Sequence, residues 1–241
     1  MATLGRYHKF IVHPTGAMLE YNPLHCLPSA EDLPDSDDTP VDNELQDYIP
    51  HLLKTILAWI WSHRNDWFSG IDMGIYYDPD IPAVVPDGFL SLGVQRVIDE
   101  DLRLSYLLWE ELVSPILAIE VVSHKRRGEY TKKKEIYEQL GILYYVVYNP
   151  LRKRKARLEV YRLVQGKYIL QLGNRIWLPE LGLAIGYERG TFQGITREWL
   201  YWYNQDGVRY KTPEELATDA EQRAQKFAEK LRQLGVNPNK L

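Results

Sequence analysis

Two acidic residues stand at positions in the sequence that packing alone does not explain. Asp87 lies in a Pro-Asp-Gly triplet within the extended apolar segment AVVPDGFLSL (83–92). Glu120 interrupts PILAIEVVS (115–123), a nearly all-apolar run that is typical of a strand buried on both faces. Because burying an unpaired carboxylate is costly, Glu120 should be paired, protonated or bound to a metal. The simpler explanations are an Asp-Gly turn for Asp87 and a strand-end side chain that reaches solvent for Glu120.

A basic cluster follows Glu120 along the chain. Its members are Lys125, Arg126, Arg127, Lys132, Lys133 and Lys134. A run of this kind is usually the solvated face of a helix. Beside two carboxylates, one lysine could instead orient a water molecule or stabilise the charge of a pentavalent phosphorane. Lys125, Arg126, Arg127 and Lys132 are the candidates for binding the phosphates of a nucleic acid.

The two carboxylates and the lysine together indicate a specific chemistry. Carboxylates from neighbouring strands, joined by a backbone carbonyl, form an oxygen-rich site suited to Mg²⁺ or Mn²⁺. Such a metal neutralises phosphodiester charge and lowers the pKa of a bound water, which becomes the nucleophile. Two acids and a lysine are therefore the minimal set of a metal-dependent nuclease.

The same residues resemble a known group of nucleases. The similarity to the PD-(D/E)xK superfamily lies in Pro86-Asp87, the EVVS segment (120–123), Lys133 and GILYYVVYNP (141–150). Residues 40–190 more closely resemble the bacterial Uma2 family of restriction endonucleases, above all in GIDMGIYYDPDIPAVVPDGFLSLGV (70–94).

The resemblance implies both a fold and a ligand set. The fold is α/β (α+β), with a restriction-endonuclease-like core in which helices flank a mixed central β-sheet. Asp87 and Glu120 are implied to bind Mg²⁺ (or Mn²⁺), with the Val121 carbonyl as a candidate third ligand. DNA is the implied substrate and partner.

The chain departs from the superfamily pattern at the lysine. That lysine usually follows the second acid by two residues, where this sequence has Val122. The resemblance points instead to Lys133 on the following helix, because a lysine stem is long and flexible. Its neighbours Lys132 and Lys134 are alternatives for the same role. The site would then consist of a carboxylate pair and a lysine from a different element.

Two further residues are candidates for the site. Tyr137 lies one helical turn after Lys133 on the same face, where it either lines the cleft or packs. Glu44, on the first predicted helix, is a candidate additional acid near the metal.

Composition restricts the class of protein. The chain has 241 residues and a mass of 28.2 kDa, with 45% hydrophobic and 26% charged residues. These fractions favour a soluble globular protein and exclude wholesale disorder. One cysteine, Cys26, excludes an intrachain disulfide and a Cys-based zinc cluster, which favours a reducing compartment. The most apolar helix-length segment, residues 48–63, is too short to span a bilayer, so we expect a cytoplasmic protein without a membrane partner.

The pattern along the chain predicts the elements that position these residues. A helix is predicted to start after Asp42, because apolar residues recur every three or four positions from Leu45 to Ile60. A second helix is predicted over 129–140, closed by Gly141. Extended segments are predicted at 70–78, 83–92, 115–123 and 142–150, with a hairpin formed by 156–164 and 167–172. Strand, helix, strand and hairpin in this order indicate a mixed α/β sheet.

Three regions follow from this pattern. They are an irregular acidic N-terminal arm (1–41), a nuclease domain (42–205) and a coiled-coil-like C-terminal helix (206–241). Thr212 opens a capping box in the last region, with proline at the first helical position. Behind it, Ala217, Ala220, Ala224, Phe227, Leu231 and Leu234 recur at the spacing of a coiled-coil seam. This seam predicts a homodimer, or a helix that packs back on the domain.

Charge is segregated along the chain, although the formal net charge is only −4. Residues 121–160 contain eleven Lys or Arg and four Glu, whereas residues 31–50 contain eight Asp or Glu and no Lys or Arg. A basic segment beside a two-carboxylate site is what phosphate binding requires. The leading hypothesis is a Mg²⁺-dependent DNA endonuclease. The alternative is a catalytically silent nuclease fold that acts as a nucleic-acid-binding or oligomeric scaffold.

Overall fold

The computed structural model describes residues 27–34, 44–98, 100, 102–123, 128–151, 156–235 and 237–238. Most of the predicted N-terminal arm and the predicted cap Asp42 lie outside these ranges. The described part of the arm contains a 3₁₀ turn at Ala30–Asp32 and packs on the domain, where the Trp109 indole donates to the Pro28 carbonyl (3.0 Å). The three domain boundaries remain predictions.

The described residues form four α-helices and eleven strands in three sheets. The helices are α1 (Glu44–Ile60), α2 (Leu108–Glu111), α3 (Lys132–Gln139) and α4 (Pro213–Gln233). The strands are β1 (Trp67–Ile71), β2 (Ile75–Tyr76), β3 (Gly88–Leu92), β4 (Tyr106–Leu107), β5 (Leu117–Val121), β6 (Tyr144–Tyr148), β7 (Leu158–Val164), β8 (Lys167–Gln171), β9 (Arg175–Leu178), β10 (Leu183–Phe192) and β11 (Ile195–Tyr203). No helix within these ranges is both long and apolar enough to cross a membrane.

The central sheet is mixed, as the sequence predicts. Its strand order is β1-β3-β5-β6-β7-β8, and β5 and β6 are parallel while the other neighbours are antiparallel. Parallel strands need a crossover connection, and α3 supplies it between β5 and β6. The architecture is a mixed α/β fold with a C-terminal helix, consistent with a restriction-endonuclease-like core.

Helix α1 lies between the central sheet and the antiparallel sheet β9–β11. Its residues Ile49, Leu52 and Ile56 are fully buried in one cluster with alternate residues of β5 and β6 and with β10 and β11. The indole of Trp202 on β11 donates to the Leu53 carbonyl (3.1 Å) and so fixes this sheet against the helix. Burial on both sides explains why α1 is more apolar than a helix at the surface.

Helix α3 covers the opposite face of the central sheet. Tyr137 and Leu140 pack there with Ala118 and Val122, in a second buried cluster. Because side chains alternate along a strand, Glu120 lies on the same face as Ala118 and Val122, under α3. The predicted carboxylate therefore sits between the sheet and the helix that carries the predicted lysine.

The C-terminal helix α4 begins as the capping box predicts. The Thr212 side chain accepts from the Glu215 amide, and Pro213 occupies the first helical position. None of the residues from Pro213 to Gln233 is buried, and the side chain of Phe227 is 66% exposed. The apolar seam is thus on the surface of this chain, and the homodimer remains a prediction.

Candidate active site

The antiparallel pair of β3 and β5 brings the two acids together. Gly88 pairs with Ile119, so the next position in the same register places Asp87 beside Glu120. Gly88 begins β3, and a Cβ atom there would lie 2.9 Å from the Pro50 Cβ of α1. The glycine is thus needed because the helix approaches the strand closely. An Asp-Gly turn does not explain the triplet.

Asp87 is buried and held at both carboxylate oxygens. It is 8% exposed, its Oδ1 accepts from the Gln46 side-chain amide (3.1 Å), and its Oδ2 accepts from the Val121 backbone amide (2.5 Å). Gln46 comes from α1 and Val121 from β5. The Asp87 carboxylate is therefore held in place by both α1 and β5.

Glu120 is buried and paired. It is 1% exposed, and the Lys133 ammonium lies 2.9 Å from each of its two oxygens. The Tyr137 hydroxyl donates to its Oε1 (2.6 Å), and Lys133 also donates to the Val85 carbonyl (2.8 Å). The explanation of Glu120 as a strand-end residue in solvent is wrong. The long lysine stem spans the gap between α3 and β5 as the displaced-lysine hypothesis requires.

The electrostatics of this cluster favour an added positive charge. Burial raises the pKa of Asp87 well above its ordinary value, and the charge of Glu120 raises it further. Burial also raises the pKa of Glu120, although Lys133 and Tyr137 act in the opposite direction. Burial alone would lower the pKa of Lys133, but Glu120 and Asp87 outweigh it and raise that pKa. Two carboxylates thus share one ammonium in a desolvated site.

The other predicted residues have different surroundings. Val122, at the usual superfamily lysine position, packs in the apolar cluster under α3, and its amide donates to the Tyr148 carbonyl (2.8 Å). Lys134 lies with its ammonium 3.7 Å from the centroid of the Tyr161 ring, and Lys132 is exposed. Among the three lysines of α3, only Lys133 contacts Glu120. Lys125, Arg126 and Arg127 lie outside the described residues.

Sequence reasoning missed Gln46 and named Glu44, two residues earlier, as a candidate additional acid near the metal. Glu44 is exposed at the first residue of α1, whereas Gln46 is buried and bonded to Asp87. The signal was present, because Gln46 is in helical register with Ile49 and Leu53 on the buried stripe. A polar residue in an apolar stripe should have a buried partner, and here that partner is Asp87.

The donor set of this cluster fits a hard divalent cation. Within the described residues no group of three or more His, Cys, Asp and Glu side chains is arranged as a metal site. Mg²⁺ needs fewer, because it is usually held by one or two carboxylates and keeps several waters. Asp87 and Glu120 could supply two oxygen ligands in a site where two carboxylates share a single ammonium. A cation would relieve the repulsion from Glu120 that, together with burial, raises the pKa of Asp87.

Comparison with models of known protein families gives a match. A family model described as "Uma2: Putative restriction endonuclease" matches residues 38–191. No curated protein matches the chain. The matched range is more than half of the chain, and it contains Gln46, Asp87, Glu120 and Lys133.

Proposed function

Since the chain belongs to the Uma2 family, we propose that it is a metal-dependent endonuclease that hydrolyses DNA phosphodiester bonds. Membership of the family indicates a nuclease. The observation that supports the finer proposal is the buried cluster in which Lys133 contacts both oxygens of Glu120 beside Asp87. A buried acid pair with one lysine, brought together from three elements, is a costly arrangement that catalysis of phosphodiester hydrolysis accounts for.

A divalent cation, Mg²⁺ or Mn²⁺, held by Asp87, Glu120 and the Val121 carbonyl would neutralise phosphate charge and supply a water of lowered pKa. Lys133 keeps its proton because its pKa is raised. It therefore acts as a hydrogen-bond donor and a positive charge towards the phosphorane, and not as the general base.

Two neighbours position the acids. The Gln46 side-chain amide donates a hydrogen bond to one oxygen of Asp87 and so fixes the orientation of this carboxylate. Tyr137 donates to Glu120 and, because burial raises the pKa of its hydroxyl well above the ordinary value, it remains a neutral donor. Both side chains reduce the number of arrangements that the acids can adopt before substrate binds.

Cleavage of supercoiled plasmid DNA tests this function. Wild type, Asp87→Ala and Glu120→Ala should be compared with Mg²⁺, with Mn²⁺ and with a chelator. The proposal expects nicking by wild type with a divalent metal and none by either variant. Equal nicking by all three proteins would mean a contaminant or a different site.

The alternative is a catalytically silent scaffold with the same fold. The observation that favours it is the apolar Val122 at the position where the superfamily usually has lysine. Absence of nicking with every divalent metal, together with retained DNA binding, would support it. The exposed seam of α4 suits a homodimer in either case, and a monomeric mass in solution would contradict the dimer. A cytoplasmic location also remains a prediction.

Replacing Gln46 should slow cleavage although the residue does not touch the substrate. Gln46→Ala removes a hydrogen bond to a buried carboxylate, and bonds to charged groups contribute about 1.5–3 kcal/mol. We expect a loss of roughly tenfold to a hundredfold in the rate of plasmid nicking. Glu44→Ala, at the exposed start of the same helix, is the matched control and should cut at the wild-type rate. A larger loss in Glu44→Ala than in Gln46→Ala would contradict the assignment.

The Mg²⁺ concentration that cleavage requires should fall as the pH rises. Burial raises the pKa of Asp87 and of Glu120, so a proton competes with the cation for these oxygens. Each acid loses its proton as the pH increases through its raised pKa. The Mg²⁺ concentration for half-maximal nicking should therefore fall as the pH rises above the ordinary carboxyl range of about 4 and level off once both acids are ionised. A requirement that is the same at every pH above this range would contradict binding of the cation by these acids.

A further inference from the structure

A cavity of about 430 Å³ lies beside the candidate active site, between α1 and the edge strand β1. Its lining includes Lys54 from α1, Trp67 from β1, and Arg96 and Arg103 from the segment after β3. Three of these four side chains carry a positive charge, and the lining also contains the carboxylates of Asp47 and Asp72. The position of the positive charge within the cavity therefore matters more than its sum.

The cavity extends from the active site along β1. Asp72, at one end of the lining, donates its amide to the Asp87 carbonyl (3.3 Å), and Ile71 pairs with Gly88. Trp67 lies four residues before Ile71, which at about 3.4 Å per residue is about 14 Å along the strand. Because the phosphates of one DNA strand recur about every 3.4 Å along the helix axis, this distance corresponds to a few nucleotides.

Two of the cations in this lining lack a carboxylate partner. Arg103 forms an ion pair with Glu111 (2.5 Å), and His51 is paired with an aspartate one turn earlier on α1. Lys54 and Arg96 form no ion pair with any residue that the structure describes. The Lys54–Arg96 end of the cavity therefore carries the uncompensated positive charge.

The same end of the cavity contains polar donors without acceptors. The Arg96 Nη1 and the Trp67 Nε1 are buried and have no hydrogen-bond partner among the described residues, and the guanidinium lies 3.8 Å from the centroid of the indole. Burial lowers the pKa of Lys54, and the charge of Arg96 lowers it further. Buried donors normally have partners, so this end of the cavity is incompletely satisfied. An anion bound beside Lys54 and Arg96 would relieve the repulsion between these two cations.

We propose that Lys54 and Arg96 bind a phosphate of the nucleic-acid strand a few nucleotides from the bond that is cut. This inference rests on the proposed nuclease function and adds a second contact to it. A guanidinium suits a phosphate because its donors form a planar fork, and an ammonium adds a point charge beside it. Such a contact fixes the position of the strand relative to Asp87 and carries no base specificity.

The test measures binding and does not depend on cleavage. A fluorescein-labelled duplex is titrated in chelator by anisotropy at several salt concentrations, with wild type, Lys54→Gln and Lys54→Gln/Arg96→Gln. The control Arg189→Gln/Lys226→Gln removes the same two charges from exposed positions on β10 and α4. We expect the double variant to bind about tenfold or more weakly, with a salt slope lower by about 1–2. The control should bind within about twofold of wild type.

Three results would overturn the proposal. Wild-type affinity and salt slope in the double variant would show that Lys54 and Arg96 do not contact DNA. Loss of inorganic phosphate binding by calorimetry, with unchanged DNA affinity, would assign the site to a free phosphate. A wild type that binds no duplex, either in chelator or with a divalent metal, would overturn the nuclease proposal as well. If the wild type never cuts DNA but the variants bind it more weakly than the wild type does, the result would support this site and contradict only the catalytic proposal. Lys54→Gln keeps the test valid if Arg96→Gln impairs folding, because the Lys54 side chain has no hydrogen bond or ion pair with the described residues.

Discussion

Asp87→Asn should abolish metal-dependent cleavage and at the same time stabilise the folded, metal-free protein. The substitution removes one of two buried carboxylates, and metal coordination contributes several kcal/mol to the transition state, so we expect the nicking rate to fall about 10³-fold or more. The shape of the side chain is retained. Its oxygen can accept from the Val121 amide, and its amide can donate to Gln46 once the Gln46 amide rotates.

The stability gain follows from the direction of the pKa shift. The pKa of Asp87 in the folded protein lies well above its ordinary value of 3.8 because of burial and of Glu120. Stability that is present below the unfolded value is therefore lost as the pH rises through the folded value. Asparagine does not ionise, so the Asp87→Asn protein does not lose this stability. Its melting temperature should exceed that of wild type above about pH 4, by a few degrees at pH 7.

Thermal unfolding in chelator and plasmid nicking measure the two effects on the same protein samples. Asp206→Asn is the matched control, since Asp206 is exposed in a turn and the change is equally small. It should leave both the melting temperature and the nicking rate unchanged. A destabilised Asp87→Asn protein, or one that still cuts at the wild-type rate, would show that Asp87 is a structural residue.

Lys133→Met should impair both cleavage and folding, and a second substitution should restore only folding. Removing the ammonium leaves the buried Glu120 with Tyr137 as its remaining donor, and breaking a buried ion pair typically costs about 3–5 kcal/mol. Glu120→Gln in the same chain removes the uncompensated charge. The double variant should therefore regain most of the lost free energy of unfolding while remaining inactive.

The neighbouring lysines provide the controls for this experiment. Lys132→Met and Lys134→Met remove equal charges from the same helix but do not touch Glu120. Denaturant unfolding at neutral pH should show a large coupling energy between positions 120 and 133 and almost none between 120 and 132. Additive effects of the substitutions at 120 and 133 would contradict the ion pair.

Asp87 and Glu120 can be singled out from the sequence because each departs from its local pattern. Glu120 stands out in an apolar strand, and Asp87 lies in an apolar extended segment, so both positions indicate a use other than packing. Lys133 could be chosen among three adjacent lysines only through the family resemblance. The structure shows why: the helical phase directs Lys133 to Glu120, Lys134 to the Tyr161 ring and Lys132 to solvent.

Contacts between distant segments were beyond sequence reasoning. Periodicity identifies the buried face of α1 but not the fact that two sheets cover it, and the sheet of β9–β11 was not predicted. The role of Gln46 depends on the same packing, since only the placement of α1 against β3 brings it to Asp87. Local patterns specify which residues are buried, whereas tertiary packing decides which of them meet.

The central claim is that Asp87 and Glu120 together hold the divalent cation. Anomalous diffraction from a crystal of the wild-type protein soaked in Mn²⁺ tests it most directly. The account predicts one strong peak about 2.1–2.3 Å from an oxygen of Asp87 and an oxygen of Glu120. A Mn²⁺ peak elsewhere in the chain, with Lys133 still bonded to both oxygens of Glu120 and no metal between the acids, would contradict it.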